Sequence, residues 1–116
     1  MHVVVESRRL YRVCRAREDA AFGNAFCSNY ELDRDPRGPE RVATVIHMAL
    51  STFDTLELAV QLARALPKIG SHVAALELVG GRGLCVAKTG RPGHWSVWGR
   101  PEQLLGCVVD VVEIPG

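Results

Sequence analysis

Apolar positions fall into short runs set apart by glycine, proline and charged residues. Residues 10–14 (LYRVC) read as a strand, with β-forming side chains behind the charged pair Arg8-Arg9. Alternation places Leu10, Arg12 and Cys14 on one face and Tyr11 and Val13 on the other. Apolar groups on both faces make this strand central, so Arg12 is shielded. A shielded guanidinium requires an acid, carbonyl groups or a bound anion as partner. In a sheet, Asp110 or Glu113 can supply the acid of such an ion pair.

From 18 to 27 the pattern is weakly helical, with Ala21, Phe22, Ala25 and Phe26 at helical spacing and Gly23 inside. A polar loop follows over 28–40, and the strand pattern resumes over 42–50. Asp54 reads as a helix cap, Glu57 as its capping-box partner, and Phe53 with Leu58 as the hydrophobic staple. That helix continues through Leu66 and stops at Pro67. Residues 72–79 read as a strand, and Gly80-Gly81-Arg82-Gly83 as the turn of a hairpin into 84–88. A second glycine-proline loop spans 89–93. It leads into His94–Gly99, a helical turn over 101–105 and a last strand over 107–114. The order β-α-loop-β-α-β-β-β-β predicts one α+β domain over 1–116: a mostly antiparallel twisted sheet with one well-formed helix and one weaker one.

With 47% hydrophobic and 23% charged residues, the composition excludes disorder for most of the 116 residues. A net charge of +1 supplies no global field for nucleic acid or membrane. Met1–Val5 precedes Glu6, Arg8 and Arg9, the wrong order for a secretory signal, and the expected location is the cytoplasm. Cys14, Cys27, Cys85 and Cys107 lack the close pairing of zinc ligands and read as four buried thiols in a reducing compartment. Arginines 8, 9, 12, 15 and 17 form a local cluster suited to carboxylate or phosphate recognition.

Three elements carry candidate chemistry: Arg12, Ser51-Thr52 before the helix, and His94–Trp98. Together they suit an anionic ligand, with a guanidinium, two hydroxyls and the positive helix end as donors. Trp95 or Trp98 can stack on a flat ring, and His94 can act as acid or base. Each also has a purely structural reading: an ion-paired Arg12, capping hydroxyls, a packed His94 and core tryptophans. His47 reads as a core histidine. Ser51, His94 and Asp110 carry no GxSxG or other triad motif. His47, His72 and His94 lack the spacing of metal ligands, so no metal site is expected.

Taken together, LYR on the first strand, STFDTLELAVQLA after the second, and GHWSVWG before CVVDVVEI resemble the ADP-ribosyltransferase-like fold. The likeness is to its small prokaryotic forms, including RES-type toxins and RNA 2′-phosphotransferases. It implies NAD, or an ADP-ribose-like nucleotide, as ligand and substrate. Arg12 matches the arginine of the first motif, and Ser51-Thr52 matches the Ser-Thr of the second. The third motif, where such transferases carry a glutamate, offers His94 here, with Glu102 eight residues later. The implied activity is cleavage of NAD or transfer from it, with Arg12 and His94 catalytic and Arg12, Ser51, Thr52, Trp95 and Trp98 holding the nucleotide. The alternatives are an inactive ligand-binding or protein-interaction module of the same fold, and a toxin or RNA-end-processing protein.

Overall fold

The computed structural model describes residues 2–28 and 49–115. Among the described residues, seven strands form one sheet: β1 His2–Val3, β2 Arg8–Cys14, β3 Leu50–Phe53, β4 His72–Leu78, β5 Cys85–Lys88, β6 His94–Trp98 and β7 Val108–Glu113. Their spatial order is β1-β5-β6-β3-β2-β4-β7, and all neighbours are antiparallel. Helix α1 spans Leu56–Ala65 and α2 spans Pro101–Gly106, with 3₁₀ turns at Phe22–Phe26 and Pro67–Ile69. The α+β, antiparallel expectation holds.

The two faces of β2 divide the core as alternation requires. Leu10 and Cys14 join Leu50, Leu76, Val86, Trp95 and Val97 in the larger cluster, closed by Phe22, Phe26 and Leu104. Val13 packs on the opposite face with Phe53, Val73 and the α1 residues Ala59 and Ala63. The weak helix over 18–27 is reduced to a 3₁₀ turn, whose Phe22 and Phe26 stack edge to face with centroids 5.2 Å apart. Most of the 28–40 loop, most of the 42–50 strand and His47 lie outside the described residues.

Two local expectations are overturned. Thr55, not Asp54, caps α1: its Oγ1 accepts from the Leu58 amide at 3.2 Å. Asp54 is engaged elsewhere, donating its amide to the Gly93 carbonyl at 2.9 Å and accepting the Trp95 indole N–H at 3.4 Å. The capping box to Glu57 therefore does not form, although Phe53 and Leu58 share one apolar cluster. The Gly80–Gly83 turn, in turn, does not close a hairpin, since β4 lies between β2 and β7 while β5 lies between β1 and β6. Its glycines instead let the chain run against the N-terminal segment. A Cβ on Gly80 would strike the Val5 carbonyl, and the Gly81 amide donates to the Val4 carbonyl at 3.2 Å.

The arginine cluster is spent largely on structure. Arg8 lies over the Trp95 ring at 4.3 Å, Arg9 pairs with Glu77 at 3.0 Å, and Arg15 faces Asp19 at 3.8 Å. All four cysteines are free thiols, but only Cys14 is fully buried; Cys27, Cys85 and Cys107 are half-buried. Among the described residues no helix is long and apolar enough to cross a membrane.

Candidate functional site

The sheet is weakest between its central strands. β3 pairs with β6 along its whole length, but with β2 only through Tyr11 and Phe53. Beyond that pair the strands part, and the Arg12 side chain fills the place of the missing backbone ladder. Its Nε donates to the Ala25 carbonyl at 2.8 Å and its Nη1 to the Ser51 carbonyl at 3.0 Å. Of the partners open to a shielded guanidinium, carbonyl groups are thus in place. Asp110 sits in the row of Tyr11 and Ala75, on the face opposite Arg12.

The parting opens into a cleft of about 380 Å³ lined by both strands, the 3₁₀ turn at Phe22–Phe26 and α1. Its volume falls within the usual range of small-molecule sites. Arg12, Arg15 and Lys68 contribute cationic groups to its walls, Ser51 and Asn24 contribute polar ones, and among the described residues no wall residue is acidic. The wall facing α1 is Leu62, two turns into the helix, so the first turn is not what the cleft meets. The expected helix-end donor is replaced by side-chain cations.

Ser51 connects this cleft to His94. In the β3–β6 register Ser51 lies opposite Ser96 and Phe53 opposite His94, which puts Ser51 and His94 on one face as diagonal neighbours. Ser51 Oγ is hydrogen-bonded to His94 Nε2. On the other side of the ring, Nδ1 lies 2.8 Å from the Thr89 carbonyl and 3.1 Å from Thr89 Oγ1. A carbonyl only accepts, so Nδ1 carries the hydrogen, and in the neutral ring Nε2 is left to accept from the serine hydroxyl. Thr89 Oγ1 is itself held by Ser96 Oγ at 2.7 Å. Burial lowers the pKa of His94 below its ordinary value; the bond to Thr89 opposes this, and the charges of Arg91 and Arg12 add to it. Burial thus favours the neutral imidazole, the form a proton acceptor needs.

The other expected site residues lie elsewhere. Thr52 is fully buried and donates to the Trp95 carbonyl at 3.0 Å, on the face away from His94. Trp95 is buried in the larger core cluster between Arg8 and Lys88. Trp98 shares the His94 face of β6 but is four residues further along, half-buried opposite Cys85. Glu102 stands on α2, exposed and 3.5 Å from Arg100. The structure joins Ser51 and His94 on one face of the sheet, while Arg12 projects from the opposite face of β2 and reaches the cleft at the Ser51 carbonyl, so the three expected groups do not converge as side chains on one face. Arg15, from the arginine cluster, lines the same cleft, and Lys68 and Thr89 are additions that no motif pointed to. Thr89 acts largely through its backbone carbonyl, for which residue type gives no signal. Among the described residues no three His, Cys, Asp or Glu side chains gather as a metal site. No protein-family model, curated protein or solved structure matches the chain.

Proposed function

We propose that the cleft between β2 and β3 binds an anionic nucleotide of the NAD or ADP-ribose class, and that the Ser51–His94 pair acts on the ribose at its edge. The observation that carries this reading is a cleft with three cationic wall residues and, among the described residues, no acid, sharing Ser51 with a histidine whose burial favours the neutral form. Arg12, Arg15 and Lys68 supply the charge that two linked phosphates require. The apolar walls at Val13, Phe53 and Leu62 suit the ribose and ring portions. The reading places the protein in the cytoplasm, where its four thiols stay reduced.

Thermal shift with NAD and with ADP-ribose tests it. At a hundred times its dissociation constant a ligand adds about 2.7 kcal/mol of apparent stability. With ~2.1 cal/mol/K of unfolding entropy per residue over 116 residues, that is a rise of about 11 °C. An Arg15→Ala, Lys68→Ala double variant removes charge from the exposed rim and leaves Arg12 in place. It should keep the unliganded Tm within ~2 °C and lose most of the shift. Absence of a shift with either nucleotide ends the reading. That no described residue of the cleft is a carboxylate favours a second reading, a module that binds without cleaving. Release of nicotinamide from NAD separates the two.

A further inference from the structure

We infer that Ser51 is itself a nucleophile, with His94 as its general base, and that it takes the ADP-ribosyl group onto its own oxygen. The identity of the electrophile rests on the nucleotide reading above; the reactivity of the serine does not. Three observations carry the inference. Ser51 Oγ is hydrogen-bonded to the imidazole nitrogen that the Thr89 carbonyl leaves without a proton. A nucleophile within reach of a base, with a third group orienting that base, is the recurrent arrangement for an activated hydroxyl. The set is also held rigidly, because Ser51 and His94 sit on paired strands and Thr89 is tied to β6 through Ser96 and through its amide, which donates to the His94 carbonyl at 3.2 Å. Finally, among the described residues the walls of the cleft hold no carboxylate to attack in place of the serine, while Ser51 is itself a wall residue.

In the first step Ser51 Oγ bonds to C1′ of the nicotinamide ribose as the bond from C1′ to the ring nitrogen breaks. The electron pair of that bond stays with the ring, so nicotinamide leaves neutral, and the hydroxyl proton passes to His94 Nε2. In the second step water takes over C1′ and releases its proton to solvent. Ser51 Oγ departs with the proton returned by the imidazolium, leaving free ADP-ribose and the starting serine.

The test uses the intact chain with two reagents, each followed by peptide mass spectrometry. A fluorophosphonate reports serine nucleophilicity without any nucleotide: Oγ bonds to phosphorus and fluoride leaves. An NAD analogue fluorinated at the 2′ position of the nicotinamide ribose slows the second step and traps the adduct. Both marks are expected on Ser51. His94→Gln should slow fluorophosphonate labelling about 100-fold or more, the span usual for a lost general base. Because both marks are mapped on the unmodified protein, a poorly folding variant does not blunt the test. Labelling of Ser51 without any nucleotide-induced thermal shift upholds the nucleophile and retires the nucleotide. A thermal shift with NAD while Ser51 carries neither mark overturns the inference and leaves the binding reading standing. Fluorophosphonate labelling with NAD binding but no ADP-ribosyl adduct overturns the transfer step.

Discussion

Replacing Arg12 with alanine isolates what the guanidinium does for the fold before any ligand is present. Among the described residues it removes two hydrogen bonds, to the carbonyls of Ala25 and Ser51, that tie the 3₁₀ turn at Phe22–Phe26 and strand β3 to β2. Hydrogen bonds to a charged group contribute about 1.5–3 kcal/mol each, and partial exposure of this pair favours the lower end. The expected loss is therefore about 3–4 kcal/mol, a large share of the ~5–15 kcal/mol typical of a domain. At ~2.1 cal/mol/K of unfolding entropy per residue, this corresponds to a fall in Tm of about 12–16 °C for 116 residues. Arg12→Lys keeps the charge but presents a point donor in place of a planar fork, so it should recover roughly half of the loss. Thermal and urea melts of the unliganded variants measure both. A drop below ~2 °C for Arg12→Ala would refute the assignment of Arg12 as the tie across the parted strands.

Two further outcomes are expected. Thr55→Ala should cost about 1 kcal/mol, near 4 °C in Tm, with Thr55→Ser restoring it; a silent Thr55→Ala would return the cap of α1 to Asp54. The lowered pKa of His94 makes stability depend on pH. Just below the ordinary value of 6.5 the unfolded chain binds more protons than the folded one, so this contribution is complete above that value and is lost as the pH falls through it. Urea melts between pH 7.5 and 5 should show a steeper decline for the wild type than for His94→Gln, and equal slopes would remove His94 as the source.

What the sequence made legible was local. The face alternation of β2, the helix ended by Pro67 and the run from His94 to Trp98 follow from neighbours a few residues apart. Alternation also constrains the site. Adjacent strand residues point to opposite faces, so Ser51 and Thr52 cannot both meet His94, nor can His94 and Trp95 share one hollow. Strand order was not legible, because the glycine turn at 80–83 is shaped by Val4 and Val5, some seventy-five residues earlier. The third member of the serine–histidine set was equally hidden, since every residue has a carbonyl and only tertiary register shows which one faces an imidazole.

The single pairing between β2 and β3 divides the sheet into a four-stranded portion, β1-β5-β6-β3, and a three-stranded one, β2-β4-β7. The polypeptide shuttles between them: β1, β3, β5 and β6 belong to one portion and β2, β4 and β7 to the other. Neither portion is a continuous stretch of chain, so no single cut or truncation releases one intact. The two halves are laced together by their own connections. A sheet threaded in this way loses both portions together, so it should melt in a single cooperative step.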